Sequence, residues 1–230
     1  MGNFKLALAV PLLLFCVGSV APNNETKHAA SHATSALSPS DLLAKVSGSI
    51  VRIESLTEDG VCLGSGVAIS EHLVVTNAHV LNNTLKARVC HGEKWSLIKT
   101  VVLSNSLDLA VFEVPDMTFK PVTLAPGMPI LGSVVYTVGN PLGRDVVIAT
   151  GLFNGVREDA LPTEVILFTA PISPGSSGGA LLNDRGELIG ITVASLTNGQ
   201  QMNLAIPVTS IAKLVEAEPK VVVKAELYAK

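Results

Sequence analysis

Hydrophobic and polar positions alternate in short runs over most of the chain, and helical spacing is confined to its two ends. The first series of apolar, β-branched runs is Ile50–Glu54, Val61–Ile69, His72–Asn77, Leu85–Cys90, Leu97–Leu103 and Leu109–Val114. A Pro-rich crossing over residues 115–129 interrupts it. The second series is Ser133–Val138, Val146–Leu152, Glu164–Phe168, Ala180–Leu182, Leu188–Val193 and Asn203–Ile206. Turn signals separate the runs: His91-Gly92, Gly143-Arg144, Asn183-Asp184-Arg185-Gly186 and Asn198-Gly199. Short strands at regular spacing with little helix predict an all-β protein built as barrels or a sandwich. Two series joined by a Pro-rich linker predict two barrels side by side, over about residues 49–114 and 130–206. Ser40 is placed to cap a short helix carrying Asp41, Leu42, Leu43 and Val46. A closing helix is expected from about Pro207-Val208 to Ala217.

Residues 1–21 carry a single charge, Lys5, ahead of an apolar run from Leu6 to Val17 and small residues after it. That is the layout of a secretory signal peptide, and the run is short for a membrane span. Export, secreted or periplasmic, is therefore expected, with no stable membrane span once the leader is removed. Residues 22–38 are polar, small and aperiodic, as a flexible linker is. His28 and His32 lie there without a Cys or carboxylate cluster, so no metal site is expected. Beyond the leader the cysteines are Cys62 and Cys90, an even count that permits one disulfide or two buried thiols.

The 230 residues are 48% hydrophobic and only 15% charged, which excludes a disordered tail protein. The net charge is −3 and the basic residues are scattered, so nothing points to nucleic acid.

The chemistry concentrates in Pro174-Gly175-Ser176-Ser177-Gly178-Gly179, set between two apolar strands. Such a run makes a poor strand but a good tight turn, in which backbone N–H groups can converge on one spot. Ser177 displayed there has an accessible hydroxyl, and the N–H groups of Gly175 and Ser177 suit a developing oxyanion. A serine nucleophile needs a base. His79 follows the strand Val74-Val75-Thr76-Asn77-Ala78, which puts an imidazole at a strand end. The base needs an orienting carboxylate. Asp108, in Leu107-Asp108-Leu109-Ala110-Val111, is an acid among apolar neighbours and is costly there unless paired. The order His79, Asp108, Ser177 divides the group between the two strand series, as a cleft between barrels requires.

These residues resemble the trypsin-fold serine peptidases, and within them the HtrA/Deg branch. Gly64-Ser65-Gly66-Val67 is similar to its GSG strand, and Thr76-Asn77-Ala78-His79-Val80 to its histidine motif. Leu107–Val111 is similar to its aspartate motif, and Gly139-Asn140-Pro141-Leu142-Gly143 to its GNPxG loop. Ser173–Gly179 resembles its nucleophile motif, with Ser176 in place of the usual asparagine. Gly186–Ile191 and Leu204-Ala205-Ile206-Pro207 are similar to the strands that follow. The resemblance implies two six-stranded antiparallel β-barrels in a protease domain over residues 39–218, with a tail at 219–230. After Pro219 nothing resembles the family's PDZ domain, and residues 22–94 carry none of the aromatics that build family trimers. It implies no cofactor, and protein or peptide substrates. It also implies that Ile172 and Ser173 line a specificity pocket and that Ile191, Thr192, Val193 and Ala194 form the strand that pairs with substrate. No acid stands at that pocket, so small or medium aliphatic side chains are expected on the acyl side of the cut bond. All three members of the group are present, which favours an enzyme over an inactive binding module.

Overall fold

The computed structural model describes residues 36–143, 145–158, 164–195 and 202–216. The expected leader, most of the expected linker and the expected tail lie outside the described residues.

The chain enters through α1 (Pro39–Val46), whose cap is Ser38 rather than the expected Ser40. Ser38 Oγ accepts from Asp41 N at 3.2 Å. Pro39, with its φ preset for the first helical position, moves the start two residues earlier. Asp41 in the first turn and Lys45 in the last complement the helix dipole, and Leu42 and Val46 are buried on one face.

Seven antiparallel strands follow: β1 (Ile50–Thr57), β2 (Gly60–Ala68), β3 (Leu73–Thr76), then α2 (Ala78–Leu81), β4 (Lys86–His91), β5 (Lys94–Leu97), β6 (Thr100–Ser104) and β7 (Leu109–Glu113). They form one sheet in the order β5-β4-β1-β2-β3-β7-β6. The expected strand Leu97–Leu103 is in fact two. Gly92, at φ 60°, turns β4 back into β5, and β6 starts afresh beside β7. The extra strand leaves β5 and β6 on opposite edges, so this half is an open, curled sheet and not a closed six-stranded barrel.

The second half is β8 (Val134–Gly139), β9 (Val147–Arg157), β10 (Val165–Phe168), β11 (Ala180–Leu182), β12 (Leu188–Ser195) and β13 (Asn203–Pro207). These close as a barrel in the order β10-β13-β12-β11-β8-β9, as expected from the second series. Helix α3 (Thr209–Glu216) ends the described chain.

Each half has its own core, around Ile53, Val74 and Phe112 in the sheet and around Phe153, Phe168 and Ile189 in the barrel. A third cluster joins them, with Leu42, Ile50, Val75, Val138, Leu182 and Leu188 in contact across the boundary. Burying each such side chain contributes about 1.5–3 kcal/mol, so apolar packing holds the boundary together. The Pro-rich crossing is strapped to both halves, by Val122 N to Ala68 O at 2.9 Å and Leu188 N to Thr123 O at 2.8 Å.

Cys62 and Cys90 lie on β2 and β4, which flank β1 on opposite sides. Their partners on β1 are Ser55 and Arg52, three positions apart. Two strand spacings of about 4.8 Å, with that offset along the strand, exceed the roughly 7 Å that a disulfide spans between Cα atoms. The disulfide permitted by the sequence is excluded in this fold, and both thiols are free.

Candidate active site

Three loops meet where the sheet faces the barrel. The first is the β3–α2 corner. Strand β3 ends at Thr76, and α2 lifts His79 to the surface while Ala78 and Val80 anchor the corner inside. The imidazole is 44% exposed, open to a ligand yet held from behind. Its Nδ1 lies 2.9 Å from Asp108 Oδ2 and 3.1 Å from Oδ1, and its backbone N–H donates to Oδ1 at 3.0 Å. The carboxylate thus grips both ring and backbone.

Asp108 sits in the second loop, before β7, with φ at 48°. That left-handed conformation is unusual for a residue with a side chain, and Asp is among those that tolerate it. The buried Asn77 holds it there, donating from Nδ2 to Asp108 O at 3.1 Å. His72 and His91 have other employment: His72 Nδ1 bonds Met117 O at 2.7 Å, and His91 packs edge-on against Phe119.

The third loop, Pro174–Gly179, comes from the barrel. Its carbonyls are taken one after another. Pro174 O accepts from Leu142 N at 3.0 Å, and Ser177 O accepts from Ser65 N at 2.8 Å. Gly175 O accepts from the buried Ser65 Oγ at 2.7 Å, which itself accepts from Asn140 N at 2.7 Å. Ser176 O accepts from Thr192 Oγ1 at 2.7 Å and from Gly179 N at 2.9 Å. The N–H groups of Gly175 and Ser177 donate to nothing among the described residues. A turn with its carbonyls from Pro174 to Ser177 tied back and two amides left over suits an anion.

Gly178 makes the close approach possible. Its φ is 84°, and a Cβ there would stand 2.1 Å from Ser65 O and 2.2 Å from Thr76 Oγ1. Thr76 Oγ1 also donates to Ser65 O at 2.7 Å. The Pro174–Gly179 loop is therefore stitched to β2 and to the strand that delivers His79. Leu142, in the Gly139–Gly143 loop, holds φ 57° to present its N–H, and Arg52 braces the same loop by donating to Gly143 O.

The Ser177 hydroxyl donates to Val193 O at 2.7 Å and not to His79. The β12–β13 register shifts between Thr192 and Ala194, so Val193 is a bulge. Its carbonyl leaves the ladder and turns to the serine.

A cavity of about 110 Å³ opens beside this loop, lined among others by Thr137, Ile172, Ser173, Ser176 and Thr192. Of the residues expected to contact substrate, Ile172, Ser173 and Thr192 face it. Ile191 does not. It pairs with Ala180 on one side and Ile206 on the other, and its side chain is fully buried in the core between the halves. Gly178 N to Thr192 O at 2.8 Å extends that pairing, so among the described residues the edge of β12 facing the loop is free only from Val193 on. Ser65, Asn77 and the hydroxyl of Thr192 escaped the sequence reading as working groups. Their signal was a polar side chain in an otherwise small or apolar run. Among the described residues no group of three His, Cys, Asp or Glu side chains is gathered as a metal ion would need, and no helix is long and apolar enough to cross a membrane.

A β sheet carrying a His–Asp pair against a β barrel carrying a glycine-flanked serine is the layout of the serine-type peptidases. The chain belongs to the trypsin-like peptidase domain family, which matches residues 64–191. It is 29% identical over 177 residues to a protein described as a serine protease HtrA-like from Staphylococcus aureus. That match covers 67% of this chain, which spans only 23% of the length of that relative. A serine endoprotease from Yersinia pestis is similar in structure, with a TM-score of 0.71 and 27% identity over 78% of this chain and 66% of that one. The active form of a protease from M. tuberculosis gives a TM-score of 0.72 at 22% identity, over 92% of this chain and 96% of that one. At that identity the likeness speaks for the fold.

Proposed function

We propose that the chain is an exported serine endopeptidase cutting unfolded or extended polypeptides, with His79, Asp108 and Ser177 as its catalytic residues. The observation that carries the reading is the His79–Asp108 pair at 2.9 Å, stitched through Thr76, Ser65 and Gly178 to a serine loop with two unused amides. Ser177 Oγ leaves the Val193 carbonyl by rotation to another staggered well and attacks the peptide carbonyl. His79 Nε2 takes its proton and returns one to the leaving amine. Asp108 keeps the ring proton on Nδ1 and stabilises the imidazolium. The amides of Gly175 and Ser177 receive the oxyanion, and water then releases the acyl-enzyme.

The 110 Å³ cavity with Ile172 on its wall supports a small or medium aliphatic residue on the acyl side. An engineered apolar cavity of about 150 Å³ accepts benzene, so this one suits a shorter branched side chain. Extended substrate adds along the free edge of β12 at Val193 and Ala194. Export rests on the leader-like residues 1–21.

Ser177→Ala tests the reading. Fold is expected to persist, while cleavage of casein falls on the order of 10⁴-fold and fluorophosphonate labelling disappears. Casein cleavage near the parental rate in Ser177→Ala sinks the assignment.

A further inference from the structure

We propose that Thr192 is a positioning residue that sets the oxyanion-binding amide of Ser177 from behind. The proposal rests on the peptidase reading above and moves Thr192 from the substrate-pairing edge to the support of the nucleophile loop. The Ser177 N–H belongs to the Ser176–Ser177 peptide. In a trans peptide N–H and C=O point in opposite directions, so whatever fixes Ser176 O aims that N–H. Ser176 O is fixed by two donors, Thr192 Oγ1 at 2.7 Å and Gly179 N at 2.9 Å. Gly179 lies in the same turn and moves with it. Thr192 does not. It is 1% exposed, its own N–H donates to Gly179 O at 2.9 Å, and its carbonyl accepts from Gly178 N at 2.8 Å.

A hydroxyl has one proton to give. Here it goes to Ser176 O at 2.7 Å, with Gly179 O a longer 3.2 Å away. The β-branched side chain adds stiffness, because χ1 has few wells to visit. Thr192 is thus a rigid peg outside the turn, and it opposes the peptide flip that would swing the Ser177 N–H away from the oxyanion. The arrangement explains why a hydroxyl is buried at this point of a strand whose neighbours Ile191 and Val193 are apolar and packed in the core.

The test is a pair of substitutions in the full chain. Thr192→Val keeps the shape and removes the donor. Thr192→Ser keeps the donor and removes a methyl from the cavity wall. With a fluorogenic peptide bearing valine on the acyl side, Thr192→Val is expected to lose about tenfold or more in kcat with KM within twofold of the parent. One missing oxyanion donor costs about 10²–10³, and here the donor is loosened rather than deleted. Thr192→Ser is expected to recover most of that loss. A crystal structure of Thr192→Val is expected to show the Ser176 carbonyl in two orientations. A Val variant with parental kcat, a Ser variant as slow as the Val variant, or one unchanged carbonyl orientation each overturns the proposal. If the parent shows no hydrolysis that depends on Ser177, the peptidase reading falls instead, and the carbonyl orientation still decides what Thr192 holds.

Discussion

Asp108→Asn isolates what the carboxylate does for His79. Its Oδ1 accepts the His79 backbone N–H at 3.0 Å, so an asparagine there must turn its oxygen to that position. Its NH₂ then falls where Oδ2 now lies 2.9 Å from Nδ1. The ring can answer an N–H only as an acceptor, which sends its own proton to Nε2, the atom that receives the proton of Ser177 in the proposed mechanism. Two losses follow. A charge-assisted hydrogen bond worth about 1.5–3 kcal/mol goes. So does the attraction between imidazolium and carboxylate, about 4 kcal/mol at 4 Å and an effective dielectric near 20. The half-exposed ring lets water screen part of the second term. The sum, about 4–6 kcal/mol, corresponds to a fall in kcat of about 10³–10⁴. The assay is kcat on a fluorogenic peptide, with fluorescence of Trp95, the single tryptophan, reporting that the fold is kept. A loss under tenfold in a folded Asp108→Asn protein refutes the argument that Asp108 governs the tautomer.

Gly178→Ala is expected to destabilise the protein by about 3 kcal/mol, combining about 1–2 for a left-handed alanine with overpacking against Ser65 O and Thr76 Oγ1. Thermal unfolding then moves down by about 6–12 °C, and an unchanged Tm shows that the two halves are not clamped at this point. Burial raises the pKa of the Cys90 thiol, with the nearby Arg52 and Arg88 opposing part of the shift. Its thiolate fraction is therefore low at neutral pH, and alkylation by iodoacetamide is expected to keep accelerating above the pH at which a free thiol levels off. Mass spectrometry of the unreduced protein is expected to find both Cys62 and Cys90 alkylatable after unfolding, and a mass two hydrogens short would contradict the strand order.

The residues of the proposed site were legible in the chain because they sit in local runs: a small-residue turn around Ser177, a histidine after a β-branched strand, and an acid among apolar residues. The strands were legible for the same reason, since alternation is a property of neighbours. The bounds that failed depended on contacts made elsewhere. Residues 97–103 read as one apolar run, but Ile98 goes fully into the sheet's core between two strands, and the chain breaks there. Ile191 reads like its neighbours on a substrate edge, yet two partner strands already occupy its backbone.

By itself, then, the sequence determined the residue types, their order and the β class, because each follows from side-chain chemistry and spacing along a few residues. The tertiary structure decided what needs two distant segments at once. It opened the first half into a seven-stranded sheet, separated Cys62 from Cys90 by putting β1 between them, and turned Ser177 toward Val193. It also brought the hydroxyls of Ser65 and Thr192 under the carbonyls of the Ser177 loop. The physical reason is that a peptide's direction is set by whatever binds its carbonyl, and those donors lie 16 and 110 residues away along the chain, where no local pattern records them.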